Sequence, residues 1–144
     1  MNEQFPVGQL AKVTGVKVPT VRYYEQIGLL PAPPRTEGNR RLYAETDVHR
    51  LTFIRHAREL GFEIDAIRTL LSLQDDPGQS CAAADIIARA RLGEVKQRIA
   101  SLRALKVELE RMVEGCSHGH VAGCRVIEVL ADHGKCLHGD HRHA

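Results

Sequence analysis

The stretch between Ala82 and Glu114 constrains this chain most, because it holds no proline and a single glycine, Gly93. Such a stretch predicts one long helix. Its apolar residues recur at alternating intervals of four and three, broken only at Lys106; they are Ala88, Leu92, Val95, Ile99, Leu102, Leu109 and Val113. That spacing is typical of a narrow seam that packs on a partner helix, not of the broad apolar face of a core helix.

Cysteines flank this predicted helix at both ends. Cys81 precedes it, and Cys116 opens the motif CSHGHVAGC, which closes at Cys124. At 1.5 Å per residue, Cys81 and Cys116 of one chain would lie about 50 Å apart. One chain therefore cannot easily bring both thiols to one site, whereas an antiparallel dimer places the start of one helix beside the end of the other.

Composition bounds the remaining possibilities. A chain of 144 residues with 26% charged and 43% hydrophobic residues predicts one domain, or a small domain with an extension. The first ten residues, MNEQFPVGQL, lack the pattern of a signal peptide, and no apolar run reaches the length of a membrane span, so we expect a cytoplasmic location. Four cysteines, all in the second half, then favour metal or redox chemistry over structural disulfides.

The first half of the chain has a helix-turn-helix pattern. Short amphipathic helices are predicted at residues 7–13 and 18–27, joined by a tight turn around Gly15 and closed by Gly28. The second helix carries the side chains suited to phosphates and base edges, which are Lys17, Thr20, Arg22, Tyr23 and Tyr24. Two alternatives stay open: a pair of core-packing helices without a DNA role, and one of the two tyrosines packing inward.

A basic hairpin is predicted next. In RTEGNRRLY, Gly38 and Asn39 form a turn between two short extended arms decorated by Arg35, Arg40, Arg41 and Tyr43. Residues 1–43 hold six Lys/Arg against three Asp/Glu, a weak basic bias compatible with nucleic acid. Two further helices are expected, at residues 45–60 with Val48, Leu51, Ile54 and Leu60 buried, and at residues 64–73.

Three of these segments together resemble the MerR family of bacterial transcriptional regulators. They are TVRYYEQIGLL, then GNRRLY, then DVHRLTFIRHARELGFEIDAIRTLL, and the resemblance covers residues 6–115. It implies a homodimer in which each winged helix-turn-helix reads half of a pseudo-palindrome in double-stranded promoter DNA. The implied DNA contacts are Arg22, Tyr23, Tyr24, Arg40, Arg41 and Tyr43, with Lys17 and Thr20 beside them.

The residues after the long helix resemble the metal-sensing branch of that family. Only 29 residues follow Gly115, too few for a large effector domain, and they are rich in cysteine and histidine. Cys116 and Cys124 flank a loop of seven residues, and an apolar segment at residues 126–130 is expected to form a short helix covering it.

The residue at position 81 separates two classes of sensor in the family. Serine there accompanies monovalent copper, silver or gold, which two thiolates bind linearly; cysteine accompanies divalent zinc, cadmium, lead or mercury, which prefer more ligands. The resemblance therefore implies Cys81 of the partner subunit as a third ligand beside Cys116 and Cys124. Two points argue against this interpretation. The loop spacing also occurs in copper sensors, and Cys81 can simply be a buried helix-start residue.

Further metal ligands are available in the loop and the tail. His118 and His120 lie within the loop, and Cys136, His138, His141 and His143 lie in the tail. They can complete the first site or form a second one. Equally, the histidines can be ordinary polar residues and the tail a flexible one.

The sequence thus predicts a mainly α protein: a winged helix-turn-helix at residues 1–76, an antiparallel coiled-coil dimerisation helix at 81–115, a metal-binding loop and short helix at 116–131, and a flexible His/Cys-rich tail at 132–144. We expect no enzyme, because too few clustered cysteines remain for an iron–sulfur centre and no pocket or base for a zinc hydrolase. The implied function is activation of heavy-metal efflux genes with RNA polymerase, by distorting promoter DNA when a divalent ion (Zn, Cd, Pb or Hg) binds. The alternatives are a copper or silver sensor of the same family and a metal-buffering protein.

Overall fold

The computed structural model describes residues 4–115 and 119–132 and confirms the mainly α fold. The strands are β1 (Gln4–Pro6) and β2 (Leu42–Ala44). The helices are α1 (Val7–Thr14), α2 (Val18–Gln26), α3 (Glu45–Glu59), α4 (Ile64–Asp75), α5 (Ala82–Glu114) and α6 (Arg125–Ala131), with a 3-10 turn at Val121–Gly123. The chain divides into two compact units, Met1–Ile87 and Ala88–Ala144.

The helix-turn-helix forms because its turn satisfies the end of α1 internally. Gly15 adopts a left-handed φ of 74° and donates its backbone N–H to the Ala11 carbonyl. The buried Thr14 hydroxyl donates to the Leu10 carbonyl at 2.8 Å. Gly28 adopts a φ of 81° after α2, as the glycine pattern predicts.

The predicted wing differs from a simple hairpin. Its two arms meet through a single antiparallel bridge between Arg35 and Arg41, with Asn39 at a φ of 62° in the turn. The second arm instead pairs with the N-terminal strand, in the register Gln4–Ala44, Phe5–Tyr43 and Pro6–Leu42. A strand of three residues is too short to show an alternating pattern, so β1 could not be predicted from the sequence.

The core of the first unit gathers one apolar face from each of the first four helices and from β2. Its fully buried large side chains are Leu10, Val21, Leu29, Leu30, Tyr43, Leu51, Ile54, Ile67 and Leu71. Leu51 and Ile54 are buried as predicted, and Val48 is partly buried against this core. The prediction that Leu60 is buried is wrong: α3 ends at Glu59, Leu60 is 65% exposed, and Phe62 packs against the core in its place.

The 33-residue α5 begins in the first unit and lies mostly in the second, and it leaves its apolar seam in solvent. The exposed seam residues are Leu92, Val95, Ile99, Leu102, Leu109 and Val113. A different face of α5 is covered, since Glu108 and Met112 are buried. An exposed apolar seam along one side of a long helix is consistent with a coiled coil that needs a second helix.

Helix α6 forms at the predicted apolar segment. Val129 is 3% exposed, whereas Leu130 is 73% exposed. The Arg125 side chain lies over Gly115, where an added Cβ would come within 2.6 Å of it. Among the described residues, no helix has both the length and the apolar character to cross a bilayer.

We expect Leu51→Ala to lower the free energy of unfolding of the first unit by about 2–5 kcal/mol, because it leaves a cavity in the core. Leu60→Ala, nine positions along the same stretch, is the matched control and should change it by less than about 0.5 kcal/mol. Urea unfolding monitored by circular dichroism measures both. Equal losses would contradict the burial described for this helix.

Candidate nucleic-acid interface and metal ligands

A basic cleft lies between the recognition helix α2 and the wing. It has a volume of about 560 Å³. Arg22 contributes from α2, and Arg35, Arg40 and Arg41 contribute from the wing. No acidic residue is among the described residues that line it. Four guanidinium groups around one concave surface suit a phosphate backbone, which guanidinium binds with paired, charge-assisted hydrogen bonds.

A buried carboxylate fastens the wing to the recognition helix. Glu25 of α2, whose side chain is 6% exposed, accepts from Arg41 Nη1 at 2.6 Å through Oε2. Its other oxygen accepts a short hydrogen bond from the Tyr43 hydroxyl. Burial, followed by the hydrogen bond and charge of Glu25, raises the pKa of Tyr43 to about 12. Glu25 was not among the predicted site residues; its signal in the sequence is an acidic residue in an otherwise basic helix.

Two of the predicted DNA contacts are buried in the protomer. Tyr43 is fully buried and donates its hydroxyl to Glu25. Tyr24 is 7% exposed whereas Tyr23 is 48% exposed, which favours the alternative that one of the two tyrosines packs inward. Lys17, Thr20, Arg22, Tyr23, Arg40 and Arg41 remain predicted contacts.

A second cleft, of about 380 Å³, adjoins the start of α2. Lys17 and Thr20 line it together with Arg55 and Arg58 of α3, which the sequence analysis missed. Arg55 Nη1 donates to the Thr14 carbonyl at 2.9 Å, and Arg58 Nη1 donates to the Phe62 carbonyl at 2.9 Å. Both guanidinium groups are therefore held in place beside the recognition helix.

The described metal-ligand candidates are accessible. Cys81 is a free, exposed thiol directly before α5, and its carbonyl accepts from the Asp85 N–H at 3.0 Å. In the single protomer, Cys81 is therefore not buried. Cys124 is a free, half-buried thiol directly before α6, and His120 is exposed. Cys116, His118, Cys136, His138, His141 and His143 lie outside the described residues.

Thiol and imidazole donors fit the softer metal ions, for which they are the preferred ligands. Within residues 4–115 and 119–132, however, no three potential ligands come together in one protomer. The predicted set needs Cys116 and a cysteine of a second protomer, so this result leaves it as a prediction.

The raised pKa of Tyr43 predicts a loss of stability at alkaline pH. The unfolded chain releases this proton near pH 10 and the folded chain near pH 12, so the stability that the proton contributes is present below pH 10 and falls as pH rises to 12. Between pH 9 and pH 11 we expect the wild type to lose about 1–1.5 kcal/mol more than Tyr43→Phe. Urea unfolding at pH 9 and pH 11 measures the difference; parallel losses in both proteins would contradict it.

Comparisons with known proteins agree with this architecture. The family profile described as "MerR HTH family regulatory protein" matches residues 5–74, and "MerR, DNA binding" matches residues 48–112. The HTH-type transcriptional regulator ZntR of Escherichia coli K12 is 42% identical over 130 residues, covering 88% of this chain and 92% of that protein. Heavy metal-dependent transcription regulator 2 of Rhizobium meliloti is 34% identical, covering 88% and 86%.

A solved structure shares the fold over nearly its whole length. The transcription regulator PbrR691 of Ralstonia metallidurans CH34, solved in complex with lead(II), has a TM-score of 0.76 and 38% identity, covering 88% of this chain and 98% of that one. These relatives are regulators of transcription, not enzymes. The chain belongs to the MerR family of helix-turn-helix transcriptional regulators.

Proposed function

We propose that this regulator activates heavy-metal efflux or resistance genes when it binds a divalent soft metal ion, with zinc, cadmium or lead favoured over mercury. The observation that carries the proposal is the free, exposed thiol of Cys81 at the start of α5. It stands next in sequence to a DNA-binding unit that presents a basic cleft. An exposed thiol at this point adds a third thiolate to the two of the loop, and three ligands suit a divalent ion.

The relatives support a metal effector. A regulator similar over most of its length was solved with lead(II), and another is a heavy metal-dependent regulator. The proposed ligands are Cys116 and Cys124 of one protomer and Cys81 of its partner. His118, His120 and the tail residues Cys136, His138, His141 and His143 are proposed as additional ligands of this site or of a second one.

DNA recognition is proposed to use one half-site for each protomer of a dimer. Arg22 and Tyr23 enter from the recognition helix, Arg40 and Arg41 from the wing, and Lys17 and Thr20 from the helix start. Arg55 and Arg58 extend the same surface. The exposed α5 seam joins the two protomers, because a second seam of the same kind covers it.

Activation is proposed to act through the shape of the promoter. Both protein states hold the spacer between the two elements that RNA polymerase reads, and only one of them bends and untwists it so that the elements align. Such distortion costs a few kcal/mol. A metal that binds the distorting state more tightly supplies this free energy, since only differential affinity shifts the equilibrium.

Two other functions make different predictions. A monovalent copper or silver sensor of the same family would not need the thiol at position 81. A metal-buffering protein would bind several ions per chain and no particular DNA sequence. Comparing metals in one transcription assay separates all three functions.

We expect transcription from the target promoter to respond to zinc, cadmium, lead or mercury, and Cys81→Ser to abolish that response while DNA affinity stays unchanged. Losing one of three thiolates should weaken divalent binding by more than about 100-fold, the upper end for outer-shell changes. Transcription in vitro with each metal measures the response. Ala82→Ser places a serine one position along, at a residue outside the proposed ligand set, and should keep it.

Induction by copper or silver alone would contradict the divalent assignment. An unchanged response in Cys81→Ser would remove Cys81 from the site. Binding of several metal ions per chain, without sequence-specific DNA binding, would favour the metal-buffering protein.

For the DNA surface, we expect Arg40→Ala to weaken binding to all sequences by a similar factor and to lower the salt dependence. The slope of log affinity against log salt should fall by about one for each half-site, because one phosphate contact is lost there. Fluorescence anisotropy at several salt concentrations measures it. Arg111→Ala removes the same charge from an exposed position of α5 and should leave the slope unchanged; equal slopes for both variants would contradict the assignment.

A further inference from the structure

Arg50 of α3 contacts the carboxyl-terminal ends of two other helices. Its Nε donates to the Leu29 carbonyl, just beyond the recognition helix α2, at 2.8 Å. Its Nη1 lies 3.1 Å and 3.2 Å from the two carboxylate oxygens of Asp75, the last residue of α4. The Arg50 side chain is 24% exposed and that of Asp75 is 58% exposed. One guanidinium group thus joins the end of α2 to the end of α4.

The negative end of a helix dipole favours a nearby positive charge. Neither α2 nor α4 has a basic residue in its last turn, and Asp75 adds a negative charge at the end of α4, where the dipole disfavours one. Arg50 offsets the charge of Asp75, and its planar fork also holds the Leu29 carbonyl, three residues beyond the end of α2.

Asp75 also stands close in sequence to the proposed metal ligand Cys81, within the same compact unit. The segment between them is held by local hydrogen bonds. Gln79 donates from its backbone to the Asp76 carbonyl at 3.1 Å and from its side chain to the Asp76 carboxylate at 2.8 Å. The Ala82 N–H donates to the Ser80 hydroxyl at 3.2 Å. These local contacts restrain the segment between Asp75 and Cys81.

We propose that Arg50 and Asp75 are positioning residues that transmit metal binding at Cys81 to the recognition helix. This inference rests on the proposed function. Binding of metal by Cys81 shifts the segment that follows Asp75, and this shift changes the ion pair between the Asp75 carboxylate and Arg50. Because Arg50 also binds the Leu29 carbonyl, the change alters the position of the carboxyl-terminal end of α2. A parallel link runs from Arg68 Nη2 of α4 to the Ile27 carbonyl at 2.9 Å, so neutralising Asp75 weakens the coupling without removing it.

The test compares the wild type with Asp75→Asn, Asp75→Glu and Asp76→Asn as full-length dimers on a promoter fragment. Asp75→Asn removes the ion pair and Asp75→Glu restores a carboxylate. Asp76→Asn removes the same charge one position along, while its amide oxygen can still accept the hydrogen bond from Gln79. The metal is whichever of zinc, cadmium, lead and mercury induces the wild type most. We expect Asp75→Asn to lower the ratio of transcription with metal to transcription without it by about threefold or more. Asp75→Glu and Asp76→Asn should stay within about 1.5-fold of the wild type, since each keeps a carboxylate at position 75.

Three further measurements separate transmission from a structural role. Thermal unfolding, promoter affinity without metal and metal affinity without DNA should all match the wild type in Asp75→Asn. An unchanged induction ratio in Asp75→Asn, an equal fall in Asp76→Asn, or a fall accompanied by lost folding or promoter affinity would each overturn the inference. A wild type that responds to none of the four metals would instead contradict the proposed function, and this inference with it.

Discussion

No part of the chain within residues 4–115 and 119–132 covers the apolar seam of α5. Leu102, Leu109 and Val113 remain about half exposed or more on a 33-residue helix, while α6 is only seven residues long. A seam of this length is stabilised when a second helix covers it. The proposed dimer depends on a second helix that covers this seam. The proposed metal site depends on it too, because the site takes residues from both protomers.

In the DNA-binding unit, a buried carboxylate holds two elements together. Glu25 accepts hydrogen bonds from Arg41 and Tyr43, and so connects the wing to the recognition helix. Burying a carboxylate is unfavourable unless it is paired and hydrogen-bonded, and here both oxygens have partners. These two contacts offset the cost of burial, and they fix the position of Arg41 in the cleft.

Features set by local chemistry could be predicted from the sequence. The glycine turns at Gly15 and Gly28, the helix lengths and the exposed seam all follow from neighbouring residues, and the structure agrees. Features set by distant partners could not. Strand β1 forms by pairing with β2, and the burial of Tyr43 depends on its hydrogen bond to Glu25. Leu60 was misassigned because its apolar side chain was taken as a sign of burial, although nine residues at about 100° each place it on the side of the helix opposite Leu51. The proposed ligand set is a further case, since it takes residues from two protomers and includes residues outside the described ranges.

Each metal site is proposed to take Cys81 from one protomer and the loop cysteines from the other. Mixed dimers of Cys81→Ser and Cys124→Ser protomers test it most directly, with cadmium binding followed by thiolate-to-metal charge-transfer absorbance. A shared site predicts that each variant alone loses tight binding and that the mixed dimer regains one cadmium ion per dimer. That recovery follows because the intact loop of one protomer meets the intact Cys81 of the partner subunit. No recovery in the mixed dimer, with both homodimers defective, would show that the ligands come from a single chain and would contradict the account.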